Sequence, residues 1–193
     1  MPQPIFLFVT PAAQTAFAIF GIVHWISEMV ILQKTGPSRA EDRGSFRVLR
    51  IVLPLSWVVA AVGIRIPQPT FGGAALFYCG MTLMVLGQLL RWWSVATLGR
   101  FFTVNVSIMT GHRVVDTGPY RFVRHPSYTA ILLIYLGAGL CLGNAVSLVG
   151  LTVLAGLALL NRIRVEEQVL QSALGDDYRA YMQRTRRLIP GIY

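Results

Sequence analysis

The feature that most constrains this chain is a succession of long apolar stretches separated by short basic ones. A helix that crosses a bilayer needs about 20 mostly apolar residues. Inside lipid every backbone N–H and C=O must be satisfied within the protein, which leaves the helix as the structure for such stretches. Five segments qualify: about Thr15 to Leu32, Val48 to Ile64, Phe71 to Trp93, Tyr128 to Leu142 and Ala145 to Leu160. Pro54 predicts a kink in the second. The last two are short and meet at Gly143-Asn144, a turn signal. They read as a tight helical hairpin whose first arm is too short to span upright as a separate helix.

Composition agrees. Only 13% of the 193 residues are charged and 54% are apolar, against roughly 25% charged in soluble domains. Too few charges remain to cover a water-facing surface. The expected fold is therefore an all-α integral membrane protein with about five transmembrane helices, embedded in the lipid bilayer as a single domain over 1–193. The N-terminus lacks a basic leader region and a small-residue cleavage site, so the first apolar segment is read as a retained helix and not a signal peptide.

Charge sets the expected orientation. Lys34, Arg39, Arg43, Arg47 and Arg50 fall between the first two segments, and Arg91, Arg100, Arg113, Arg121 and Arg124 between the third and fourth. Arg162, Arg164, Arg179, Arg184, Arg186 and Arg187 follow the fifth, leaving only Arg65 for the other side. The positive-inside rule then places the N-terminus outside and the C-terminus in the cytoplasm. The net charge of +9 is explained by anionic headgroups, and no nucleic-acid partner is expected. Cys79 and Cys141 sit within apolar runs and carry neither a disulfide framework nor a metal motif.

Two regions are too polar for lipid. One is Ser94 to Ser127, a long loop too rich in aromatic and β-branched residues to be disordered. The other is the tail from Asn161 to Tyr193, whose Arg162-to-Tyr181 part reads as an amphipathic helix with acidic residues early and arginines late.

The chemistry concentrates in G-H-R-V-V-D-T-G-P-Y-R-F-V-R-H-P-S-Y, Gly111 to Tyr128. Gly118-Pro119 gives a turn. His125-Pro126 forces an extended residue before the next helix, and Ser127 is the expected N-cap. The backbone N–H groups opening that helix would then be available to an anionic group. The plain alternative is a basic surface loop anchored at headgroups. His112 and His125 have no cysteine partner and no zinc-like spacing, so no metal is expected. A second cluster, Asn161 to Gln168, puts Arg162 and Glu166 four apart on one helix face. At the membrane boundary such a pair faces protein or a cavity. His24 and Glu28, also four apart, lie inside the first apolar segment; intramembrane ionisable residues are functional candidates, and the favoured alternative is a structural pair bonded to Gln88 or to a neighbouring helix.

Five stretches in order carry a resemblance: L-G-R-F-F-T (Leu98 to Thr103), H-R-V-V-D-T-G-P-Y-R-F-V-R-H-P-S-Y (His112 to Tyr128), R-I-R-V-E-E (Arg162 to Glu167), D-Y-R-A-Y (Asp177 to Tyr181) and R-L-I-P-G-I-Y (Arg187 to Tyr193). With these spacings, the set resembles the isoprenylcysteine carboxyl methyltransferases, as a minimal prokaryotic-type member. It divides the domain into three N-terminal transmembrane helices (1–97) and a methyltransferase-like half (98–193).

The resemblance implies a membrane-embedded carboxyl O-methyltransferase. Its methyl donor would be S-adenosyl-L-methionine, its product S-adenosyl-L-homocysteine, and its acceptor a lipophilic, prenylcysteine-like substrate. Residue by residue, it implies cofactor contacts at His112, Arg113, Val114, Val115, Tyr120, His125, Pro126, Ser127 and Tyr128. It adds Glu166, with Glu167 as the alternative, and gives Arg162 the catalytic role of holding the substrate carboxylate. A polar side chain upstream, Asn105 or Ser107, completes the set. Rival readings are a phospholipid or other lipophilic-acceptor methyltransferase, a sterol-type reductase using NADPH, and a non-catalytic membrane protein.

Overall fold

The computed structural model describes residues 10–33, 44–104, 108 and 111–193. Lys34, Arg39 and Arg43, the first nine residues, and both Asn105 and Ser107 lie outside the described residues. Among the described residues five helices follow in order: α1 (Pro11–Gln33), α2 (Ser45–Arg65), α3 (Ala74–Leu98), α4 (Pro126–Leu142) and α5 (Ala145–Arg184). Short 3-10 turns occupy Gly99–Phe101 and Gly118–Arg121. Among the described residues the only β pairing is two isolated bridges. The helices α1, α2, α3 and α5 are long and apolar enough to cross a membrane, whereas α4 is a shorter apolar helix of 17 residues. Large apolar side chains such as Ile22, Trp25, Val58, Leu86 and Leu157 point outward. That is the arrangement of a multi-pass membrane protein facing acyl chains.

In lipid, helices gain little from burying apolar surface against each other, so close backbone approach and polar bonds hold them. α3 and α4 meet through Gly80 and Gly137. A Cβ on Gly80 would lie 2.5 Å from the Gly137 carbonyl oxygen, and one on Gly137 would lie 2.4 Å from that of Gly80. α2 packs along α5, where the Ser147 hydroxyl donates to the Ala60 carbonyl at 2.9 Å. α1 leans on α3 through polar contacts. His24 Nδ1 lies 2.7 Å from Gln88 Oε1, and Glu28 takes Arg91 Nε and Nη2 at 2.9 Å each.

These contacts fix the helix directions. α1 runs parallel to α3, since His24 meets Gln88 and Glu28 meets Arg91. α4 returns against α3, and α5 returns against α4 with Gly139 beside Leu148. The start of α2, the end of α3 and the start of α4 therefore gather at one end, with Arg47, Arg100, Arg113, Arg121 and Arg124. Arg65 ends α2 at the opposite end, where Phe71 N–H donates to the Gly143 carbonyl at 3.0 Å.

Two boundaries differ from the sequence reading. Arg91, grouped with the loop, lies within α3 and is buried, because α3 runs on to Leu98. Pro54, the expected kink position, lies inside α2. The fifth apolar segment and the amphipathic tail are one 40-residue element, interrupted at Gly175 (φ 56, ψ −127). At 1.5 Å per residue the part before Gly175 is about 45 Å long, longer than a hydrocarbon core of about 30 Å. Its second half thus projects beyond the apolar layer at the basic end.

Candidate active site

At that basic end a cleft with an open volume of about 840 Å³, mouth included, lies between the second half of α5, the start of α4 and the loop between α3 and α4. The loop is shaped by a tight turn. Gly118 has φ +55, and a Cβ there would lie 2.9 Å from Thr97 Oγ1. Only glycine combines that left-handed backbone with so close an approach to α3. The turn delivers Tyr120, whose carbonyl accepts from the Tyr181 hydroxyl at 2.6 Å. The loop is thereby tied to the far side of the cleft. Burial pushes the Tyr120 phenol well above its ordinary range, as the nearby Glu166 charge does too, so the ring presents a neutral face.

α4 does not begin as expected. Its N-cap residue is His125, Pro126 takes the first helical position, and no side chain caps it. Proline is suited to that position because its missing N–H is not needed there. The Ser127 hydroxyl instead accepts a short hydrogen bond from Arg91 Nη1. The N–H groups of Tyr128 and Thr129 donate to the His125 carbonyl, so these two are used within the first turn and are not open to an anion.

Arg162 and Glu166 come one turn apart on α5, and the Tyr128 hydroxyl stands between them. It donates to Glu166 Oε2 at 2.6 Å and accepts from Arg162 Nε at 3.3 Å. Arg162 is buried, with Nη1 on the Ser45 hydroxyl at 2.7 Å and Nη2 on the Val104 carbonyl at 2.5 Å. The His125 ring stacks on Tyr128 with centroids 5.5 Å apart. His112 packs against Phe101 at 5.1 Å. Partial burial lowers the His112 imidazole below its ordinary value, with Glu166 pulling the other way.

Glu167 points elsewhere. Its carboxylate holds Arg124 Nε at 2.9 Å, Arg187 Nη2 at 2.8 Å and His125 Nε2 at 3.3 Å. Burial alone would raise its pKa. Hydrogen bonds from His125, Arg187 and Arg124 outweigh that and bring the carboxyl down to about 2. The same corner pairs backbone to backbone: Arg124 and His125 N–H donate to the Arg186 and Arg187 carbonyls at 2.7 and 3.0 Å. Glu167 thus pins the tail to the start of α4 from behind the cleft wall.

Of the residues singled out from sequence, the cleft wall contains His112, Arg113, Val114, Val115, Tyr120, His125, Ser127, Tyr128, Arg162 and Glu166. Pro126 and Glu167 are buried outside it. The wall also includes Phe101, Phe102, Arg124, Tyr178 and Tyr181, which were not singled out. Tyr178 and Tyr181 were within reach of the sequence: three apart on a helix, they share a face, and both belong to D-Y-R-A-Y.

The fold and cleft together define a class: a multi-pass, all-helical membrane protein with a polar, ring-lined cleft at one end of its helices. Residues 80–172 match the family model "Isoprenylcysteine carboxyl methyltransferase (ICMT) family". Protein-S-isoprenylcysteine O-methyltransferase B of Arabidopsis thaliana is 34% identical over 113 residues, 58% of this chain and 57% of that protein. Protein-S-isoprenylcysteine O-methyltransferase of Schizosaccharomyces pombe is 34% identical over 109 residues, 55% of this chain and 46% of that one. The solved structure of a eukaryotic intramembrane Ras methyltransferase ICMT superposes with a TM-score of 0.61 at 27% identity, over 75% of this chain and 52% of its own. The chain thus spans about half the length of each of these relatives.

Proposed function

We propose that this chain transfers a methyl group from S-adenosyl-L-methionine to the carboxylate of an isoprenylated cysteine, leaving S-adenosyl-L-homocysteine. The observation that carries the reading is the convergence in one cleft of His112, Tyr120, Tyr128, Arg162 and Glu166, residues from two of the motif-bearing stretches.

When bound, the donor supplies an electrophilic methyl on a sulfonium centre. The residues present fit such a group. Rings of Phe101, Tyr120, Tyr178 and Tyr181 line the cleft, and aromatic faces attract a cation and stack on a flat base. The Glu166 carboxylate, hydrogen-bonded to the neutral Tyr128 hydroxyl, supplies acceptor oxygens for a diol or an ammonium group.

The acceptor carboxylate is ionised near neutral pH, so no general base is required of the protein. Arg162 would hold it. Its Nη atoms already reach the Ser45 hydroxyl and the Val104 carbonyl, and the planar guanidinium matches a carboxylate in a strong, bidentate contact. Catalysis would then rest on holding the two reactants in line and excluding water. The excess of Lys and Arg at this end supports a cytoplasmic site. The prenyl chain would enter sideways from lipid between the helices.

The test uses purified protein in lipid nanodiscs with radiolabelled S-adenosyl-L-methionine and an N-acetylated farnesylcysteine. Label released as methanol by base marks an ester and is the expected result. Donor binding with label passing only to phospholipid would replace the acceptor assignment. Absence of donor binding would remove the enzymatic reading and leave the non-catalytic one.

A further inference from the structure

The Glu28–Arg91 pair is an expensive feature for the interior of a membrane protein, where ionised side chains are disfavoured unless they are paired and used. As a staple between α1 and α3 it would be redundant. His24 and Gln88 already join the two helices at 2.7 Å, and Ser27 accepts from Trp92 Nε1 at 2.6 Å. The guanidinium reaches further than these. With Nε and Nη2 clamped on the two oxygens of Glu28, its orientation is fixed. Nη1 then donates to the Ser127 hydroxyl in the first turn of α4. The same guanidinium lies 5.8 Å from the centroid of the Phe102 ring. Ser127 and Phe102 are both walls of the cleft, and neither Arg91 nor Glu28 is. Glu28 also lies outside the stretch matched by the family model.

We infer that Arg91, held in register by Glu28, is a positioning residue for the donor-binding cleft, fixing Ser127 at the head of α4 and the Phe102 ring across from it. The inference rests on the methyltransferase reading. It adds that α1, through Glu28, takes part in the site. A planar fork suits this task because two donors can be anchored while the third is aimed. A lysine ammonium keeps the charge but cannot do both.

The experiment measures S-adenosyl-L-methionine affinity by calorimetry, KM and kcat, and the thermal midpoint, for wild type and five variants. Arg91→Lys, Glu28→Gln and Ser127→Ala should each weaken donor binding by about tenfold, the order of one lost charge-assisted hydrogen bond, with kcat at saturating donor nearly unchanged. Arg91→Lys combined with Ser127→Ala should weaken it by less than the sum of the two single losses, since both remove the same Arg91–Ser127 contact. Gln88→Leu removes a staple without touching the cleft and should lower the midpoint while leaving affinity intact. Arg91→Lys and Glu28→Gln acting like Gln88→Leu would overturn the inference, as would fully additive losses in the double variant. Should Arg91→Lys fail to fold, Ser127→Ala decides: unchanged affinity there overturns it. Wild type that binds no donor would instead remove the methyltransferase reading, and this inference with it.

Discussion

Glu167→Gln gives the sharpest test of how the cleft is held together. The carboxylate is 3% exposed and grips Arg124, 8% exposed, and Arg187, one third exposed. Its pKa falls from the ordinary 4.5 to about 2. A carboxyl depressed in the folded state contributes stability that is fully present above its unfolded value and disappears as pH falls through its folded value. The window is therefore pH 4.5 down to 2. At 1.36 kcal/mol per unit, the charged carboxylate contributes about 3 kcal/mol at neutral pH. Removing one partner of a buried ion pair gives a similar figure, roughly 3–5 kcal/mol, with Arg187 adding little because it is part-exposed. For a chain of this length, about 3 kcal/mol corresponds to a midpoint roughly 6–12 °C lower. The assay is thermal unfolding in one detergent, followed by tryptophan fluorescence, for wild type and Glu167→Gln from pH 7 to pH 2. The gap between the two should be widest at pH 7 and close on acidification, since other carboxyls titrate equally in both. A constant gap, or none at pH 7, would refute the assignment of Glu167 as the charged pin between tail and α4.

Arg162→Ala should retain donor binding and lose methyl transfer, and Arg162→Lys should recover little of it because a point charge cannot replace the fork; full turnover in either variant counts against the role given to Arg162. Gly118→Ala places a Cβ at φ +55 and 2.9 Å from Thr97 Oγ1, so it should cost about 1–2 kcal/mol from the backbone alone, read as a lower midpoint and weaker donor binding. Gly137→Val would push α4 off α3, where even a Cβ lies 2.4 Å from the Gly80 carbonyl oxygen; loss of monodisperse protein in detergent is expected, and a normal elution profile would contradict the close approach.

The sequence made the lipid-facing architecture legible because that depends on run length and on the placement of charge, both of which are local. Its five segments correspond to α1 to α5. The helix starts were harder. Ser127 has the chemistry of an N-cap, but with Pro126 in the first helical position the helix starts two residues earlier, and the hydroxyl is taken by Arg91 from 36 positions upstream. No local pattern announces such a partner. Arg91 was hidden for a related reason. An arginine at the edge of an apolar run looks like a loop residue unless the carboxylate that neutralises it can be placed, and Glu28 lies 63 positions away.

The choice between Glu166 and Glu167 shows how far helix geometry carries. Successive residues on a helix are about 100° apart, so the two carboxylates cannot serve one surface. Arg162 lies one turn before Glu166, which assigns Glu166 to whichever face Arg162 occupies and Glu167 to the next. Sequence supplies that split but not which face is the cleft. The answer comes from Tyr128, whose hydroxyl takes Glu166 at 2.6 Å and Arg162 at 3.3 Å, and from Arg124 and Arg187, which claim Glu167. The division of labour follows from the partners. A carboxylate held by two arginines in a buried corner has little capacity left for a ligand, whereas one hydrogen-bonded to a neutral hydroxyl at a cleft wall retains its charge for whatever enters.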